Sequence, residues 1–132
     1  MRLYLVRHAE AAPGEPDDLR PLTAGGRESA RALGARLAAQ RVSADAVLTS
    51  PLLRARETGA ELARALGCEL EPDERLAPGA SADDVRDAVS GRGDAVVVVG
   101  HQPDCGEIAA ELSGAPAPAF PPAGLAVLDL DE

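Results

Sequence analysis

Ala95-Val96-Val97-Val98-Val99-Gly100-His101 contains no polar side chain before its last residue. A strand with one face in water would alternate apolar and polar residues. This run does not, so it is read as a strand in the middle of a parallel sheet covered on both faces. A second apolar run, Leu3-Tyr4-Leu5-Val6, stops as abruptly at Arg7-His8. The chain has two histidines, and each follows an apolar run of this kind. In an open α/β sheet, ligand chemistry sits just past the carboxyl ends of the strands.

The rest of the chain alternates strand and helix patterns around these two. After Leu3–Val6 comes a loop, Ala11 to Pro21, rich in Pro, Gly and Asp. Thr23 caps a predicted helix to about Gln40, with Ala30, Leu33, Leu37 and Ala38 on one face. Ala46–Thr49 is a predicted strand. Ser50-Pro51 then reads as an N-cap followed by proline at the first helical position. The helix it opens buries Leu52, Ala55, Gly59, Leu62, Ala63 and Leu66, and Gly67 ends it. Cys68–Glu71 is a short predicted strand. Ser81 and Asp84 form a capping pair for a helix with Val85, Ala88 and Val89 inward. Pro103-Asp104 opens another helix through about Leu112. A Pro-rich extended stretch, Ala115 to Pro122, leads into a last strand, Leu125 to Leu130; Phe120 is expected to anchor the stretch on the body. The fold class is α/β, a three-layer sandwich with a mostly parallel central sheet and helices on both faces. At 132 residues the expectation is one domain over 1–132, without a large cap.

Composition removes several function classes. A net charge of −9 argues against a nucleic-acid surface, and aromatic content of 2% without Trp argues against stacking on bases. With a run beginning almost at Met1 no signal peptide is expected, and no apolar stretch approaches a membrane span. Cys68 and Cys105 do not make a disulfide framework. The expected setting is cytoplasmic, as a monomer or weak dimer without membrane or nucleic-acid partners. Cys105 follows His101 closely and is weighed as a nucleophile, but a small buried residue is the better reading. A zinc site is disfavoured because neither histidine has a second ligand at standard spacing. No cofactor or metal is expected.

Three strand ends carry polar groups. The first gives Arg7 and His8, the second leads through Ser50-Pro51 to Arg54, and the central strand gives His101. In a parallel sheet these ends lie along one edge, so four side chains can converge into a cationic pocket within an acidic protein. Arginine matches phosphate oxygens in bidentate fashion, and a helix N-terminus adds backbone N–H groups. The inferred ligand is a phosphoryl group. Arg56, two residues after Arg54, is expected to face solvent or Glu57.

The segments LVRHAE, SPLLRARET and VVVVGHQP, with PLTAGG at Pro21 to Gly26, resemble the signature segments of the histidine phosphatase superfamily, the phosphoglycerate mutase-like family. They occur in the right order over most of the chain. The short length is most similar to the SixA-type phosphohistidine phosphatases. The resemblance implies that His8 is the nucleophile that becomes phosphorylated. It also implies that Arg7, Arg54 and His101 hold the phosphoryl oxygens, with Ser50 a weaker substrate-binding candidate at the rim. Glu10 is read as a solvated loop carboxylate near the entrance. Neighbouring cations are expected to keep His8 neutral, and a backbone carbonyl to set its tautomer. His101 is expected to act protonated or as a hydrogen-bond partner.

The chain departs from the mutase-like pattern at one place. There a carboxylic acid follows an Arg-Leu pair by two positions; here Arg75-Leu76-Ala77-Pro78 puts Pro78 in that place. Asp73, Glu74, Asp83 and Asp84 are the candidate substitutes, with solvated or capping roles as the plainer reading. An alkoxide leaving group needs a proton, whereas an imidazole can be protonated before it leaves. A site without the acid suits a phosphoramidate such as phosphohistidine on a protein. The alternatives are a small-molecule phosphomonoesterase and a non-catalytic phosphate-binding module.

Overall fold

The computed structural model describes residues 1–130. In chain order the elements are β1 (Arg2–Arg7), α1 (Ala24–Ala39), β2 (Ala46–Thr49), α2 (Leu53–Leu66), β3 (Leu70–Pro72), α3 (Ala82–Val89), β4 (Ala95–Gly100), α4 (Asp104–Ser113) and β5 (Leu125–Asp129). Short 3-10 turns sit at Asp17–Leu19 and Glu74–Leu76.

The sheet order is β3-β2-β4-β1-β5, parallel except for β5, which runs antiparallel to β1. The valine run is the central strand, and Val96 to Val99 are 0–1% exposed. Burial of each of these side chains stabilises the fold by about 1.5–3 kcal/mol relative to exposure. Alternate strand residues serve opposite layers. Leu3, Leu5, Leu48, Val96 and Val98 pack with Val85, Ala88 and Ile108 of α3 and α4. Tyr4, Val6, Val47, Val97 and Val99 pack with Leu33, Leu37, Ala55 and Leu62 of α1 and α2. This is the three-layer α/β arrangement that the pattern predicts.

The caps follow local sequence in three of four cases. The Thr23 hydroxyl accepts from Gly26 N–H, Ser81 and Asp84 form a reciprocal capping box, and Gly67 ends α2 in the left-handed conformation. The fourth is a correction. α2 begins at Leu53 with Leu52 at the N-cap position and no side-chain cap, so Ser50-Pro51 lies outside the helix. The Ser50 hydroxyl is engaged elsewhere. β3 also falls at Leu70–Pro72 rather than Cys68–Glu71, because Leu70, Glu71 and Pro72 are the residues in register with Val47, Leu48 and Thr49 of β2. Ala38 is exposed, and Gly26 and Gly34 complete the buried stripe of α1. Gly26 has a positional reason: a Cβ there would overlap the carbonyl oxygen of Glu10. The first turn of α1 therefore presses directly on the chain just past His8. No helix among the described residues is long and apolar enough to cross a membrane.

Candidate active site

Strand order brings the chemistry together. β1 and β2 flank β4, with Arg7 opposite Gly100 and Thr49 opposite Val99. The next residue on each strand is His8, His101 and Ser50. Backbone bonds continue the pairing one step further, from His8 N–H to Gly100 O (2.9 Å) and from Ser50 N–H to Val99 O (3.0 Å). The two imidazoles end with ring centroids 5.2 Å apart and planes tilted by 58°.

His8 Nδ1 lies 2.7 Å from the carbonyl oxygen of Ala9. A carbonyl only accepts, so Nδ1 carries the proton and Nε2 keeps its lone pair. The His8 pKa is lowered from its ordinary value. Burial is the largest cause, and the charges of Arg54, Arg7 and Arg20 add to it against the opposing Ala9 bond. The neighbouring cations oppose protonation as expected, and removal from water, which the sequence does not show, is the larger cause.

His101 is 5% exposed, and its pKa is pushed down to about 4, first by burial and then by His8 and Arg54. It is a neutral imidazole near neutral pH. Its Nε2 lies 2.8 Å from Ser50 Oγ, and that oxygen accepts from Leu52 N–H (3.2 Å). Ser50, expected at the rim, is fully buried beneath it and fixes the His101 ring.

Arg7 donates from Nη1 to the carbonyl of Phe120 (3.0 Å), the buried anchor of the Pro-rich stretch. Arg54 is 8% exposed and donates from Nη1 to the Asp17 carbonyl (2.8 Å) and from Nη2 to Asp17 Oδ2 (3.2 Å). Thr58 ties these parts together. Its hydroxyl accepts from Ala9 N–H (3.0 Å) and donates to the Arg54 carbonyl (2.8 Å). Two nitrogens in the site, Arg7 Nε and His101 Nδ1, are buried without a hydrogen-bond partner among the described residues. Buried polar groups are rarely left so, because each carries an uncompensated desolvation cost. An oxyanion in this site can accept from both.

The other candidates lie elsewhere. Arg56 donates to the Pro51 carbonyl (2.9 Å), not to Glu57, which accepts from Leu22 N–H and Arg27. Glu10 is exposed and accepts from the Thr23 hydroxyl (2.8 Å). Asp73 is engaged by Arg75, and Asp84 belongs to the α3 capping box. Gly79, next to Pro78, donates to Asp104 of α4 (2.7 Å). Glu74 and Asp83 lie in the first turns of short surface helices and have no side-chain bond to the site. Among the described residues the carboxylate that bonds a site residue is Asp17, which sequence reasoning missed along with Thr58 and Arg20. The spacing of Thr58 one turn after Arg54 was the available signal for the threonine. Cys105 is 1% exposed with its thiol pushed up to about 12 by burial, which removes it as a thiolate nucleophile. A cavity of about 550 Å³ lies among Met1, Arg86, Val89 and Leu130 at the opposite edge of the sheet and contains none of the four converging residues. Among the described residues no group of three or more His, Cys, Asp or Glu could hold a metal ion.

The model of the histidine phosphatase superfamily, branch 1, matches residues 3–78, which include Arg7, His8, Ser50 and Arg54. The chain belongs to the histidine phosphatase superfamily. This family assignment extends to whole-chain relatives. Phosphohistidine phosphatase SixA of Escherichia coli strain K12 is 34% identical across all of this chain and 87% of its own length. The solved structure of the protein histidine phosphatase SixA complexed with tungstate superposes with a TM-score of 0.90 at 31% identity, over 100% of this chain and 90% of that one. A putative phosphohistidine phosphatase SixA from Agrobacterium tumefaciens gives a TM-score of 0.82 at 30% identity, over 97% and 90%. The histidine phosphatase fold thus covers the chain from end to end.

The lowered histidine pKa values make a stability prediction with a definite sign. As pH falls below the ordinary histidine value of 6.5, the unfolded chain takes up protons that folded His8 and His101 resist. Stability should therefore decline from pH 6.5 toward about 4, where folded His101 itself protonates. The lowered carboxylates, Asp17, Asp73, Asp84 and Asp129, lose their contributions below the ordinary 3.8 and so act beneath this window. Denaturant midpoints across the window measure the slope, and His101→Asn should flatten it.

Proposed function

We propose that this protein is a phosphohistidine phosphatase acting through a covalent intermediate on His8. The observation that carries the reading is the convergence of two imidazoles and two guanidiniums at one sheet edge, with Arg7 Nε and His101 Nδ1 buried and without a hydrogen-bond partner among the described residues. His8 Nε2 attacks phosphorus, the new P–N bond forms, and the P–N bond to the substrate imidazole breaks. The leaving imidazole carries a proton on its other ring nitrogen and departs neutral. Water then attacks the phosphorus on His8, passes its proton to solvent, and releases phosphate, regenerating the neutral imidazole.

The remaining groups stabilise charge. A transferring phosphoryl group spreads negative charge over its equatorial oxygens, and catalysis consists chiefly of positioning and neutralising it. Arg7 and Arg54 supply the guanidiniums. The Ser50 hydroxyl donates to His101 Nε2, which leaves the His101 proton on Nδ1 for a phosphoryl oxygen. No carboxylic acid stands at Pro78, and this favours a leaving group that brings its own proton. Similarity to SixA over the whole chain supports a phosphorylated protein as the substrate. The free Cys68 and Cys105 suit a reducing, cytoplasmic setting.

The test offers a phosphohistidine protein, a phosphoaspartate protein and a small phosphomonoester to the same enzyme. Phosphohistidine should be hydrolysed at least about tenfold faster than the ester, since a missing general acid typically costs 10²–10⁴-fold on leaving groups that need one. Faster ester hydrolysis would favour the phosphomonoesterase, and binding without any turnover would favour the phosphate-binding module.

A further inference from the structure

The four converging residues do not account for the polar chain that closes the site on the side of the 3-10 turn. Asp17 Oδ2 accepts from Arg54 Nη2 (3.2 Å), and Asp17 Oδ1 accepts from Arg20 Nη1 (3.0 Å). The Asp17 carbonyl takes the other terminal nitrogen of Arg54 (2.8 Å). Arg20 is pinned on its far side by Nε donating to the Ala12 carbonyl (2.8 Å). The loop that carries both residues is closed on itself by Ala12 N–H to Pro21 O (2.8 Å) and by the Ala11–Leu22 bridge. One residue therefore holds both terminal nitrogens of the buried Arg54 and joins it to a second guanidinium. The charge of Arg20 opposes protonation of His8, and that of Asp17 favours protonation of His101, so both lie within electrostatic reach of the site.

We propose that Asp17 is a positioning residue for phosphoryl transfer, orienting Arg54 toward the phosphoryl group and holding Arg20 beside it as a third cation. Two other roles fit less well. As a general acid Asp17 would need a proton, but Arg20 and Arg54 hold its carboxyl below the ordinary carboxylate range. As a competitor for Arg54 it would have to release the guanidinium to substrate. Yet the Asp17 carbonyl shares that grip and is not displaced when the side chain moves. With Nη1 and Nη2 each holding one bond to Asp17, Nε and the second hydrogens of the fork remain for an oxyanion.

The inference rests on the phosphatase reading, and the experiment separates the two. Tungstate affinity by calorimetry and steady-state kinetics on phosphohistidine protein are measured for wild type, Asp17→Asn, Asp17→Ala, Arg20→Ala and the Asp17→Ala/Arg20→Ala double variant. Asp17→Ala should weaken tungstate binding and lower kcat, each roughly tenfold, with Asp17→Asn intermediate because its carbonyl still serves one guanidinium. Arg20→Ala should cost much less in the Asp17→Ala background than alone. Tighter tungstate binding in either Asp17 variant would show the carboxylate to be a competitor and overturn the proposal. Unchanged binding, or strict additivity with Arg20, would overturn it too. If wild type binds tungstate but hydrolyses no phosphohistidine, the proposed substrate is wrong, while the binding series still decides the role of Asp17.

Discussion

His8→Ala should abolish turnover, by at least about 10⁴-fold, and leave the protein without acid-labile, base-stable phosphate after incubation with substrate. Nothing nearby can replace it. His101 Nε2 is committed to Ser50, and the Cys105 thiol is buried and pushed up to about 12. The variant should fold, because the backbone bond from residue 8 to Gly100 and the Thr58 contact to Ala9 do not use the imidazole. Base quenching of labelled wild type, followed by acid treatment, reads the phosphoenzyme directly. His101→Ala gives the contrast: it keeps the nucleophile and should slow turnover while still trapping label on His8. Unchanged turnover in His8→Ala would remove the nucleophile assignment altogether.

Arg54→Ala should lower kcat/KM by about 10²–10³-fold, the range for removing a preorganised donor that faces developing charge. Arg54→Lys should recover little of the loss. Lysine offers a point charge on a flexible stem, whereas this position needs a planar fork that bonds the Asp17 carbonyl and carboxylate and still presents N–H groups to an oxyanion. The Thr58 hydroxyl bonds the main-chain carbonyl of residue 54, so the link from α2 to the segment after His8 survives both substitutions. Steady-state kinetics and thermal melting measured together distinguish loss of charge stabilisation from loss of fold. A kcat/KM within a factor of about three of wild type, well short of a lost transition-state contact, would take Arg54 out of the reaction.

Much of the architecture was legible because the rules that produce it are local or periodic. An unbroken valine run between polar turns has few places to go other than the middle of a parallel sheet, and β4 is there. Thr23, the Ser81–Asp84 pair and Gly67 act within one helical turn of themselves, and each does what its residue type favours. Ser50 shows where such reasoning stops. Ser-Pro is a favoured helix start, but the hydroxyl faces a competing partner on the neighbouring strand, so the helix begins later without it. Arg56 and Glu57 were equally ambiguous, since adjacent residues on a helix point to different neighbours and the sequence does not say which neighbours are there.

By itself the sequence determined that both histidines end strands of one sheet, and that Arg7 and Arg54 belong to the same edge. That follows from side-chain periodicity and from the shared direction of parallel strands. The tertiary structure alone decided what holds each of them. Arg54 meets Asp17 across 37 positions, His101 meets Ser50 across 51, and Arg7 meets Phe120 across 113. Local propensity reaches about one turn, so partners this distant are chosen by strand order and by the path of two loops. Burial, which lowers the pKa of both histidines, likewise exists only once the layers have closed over the sheet edge.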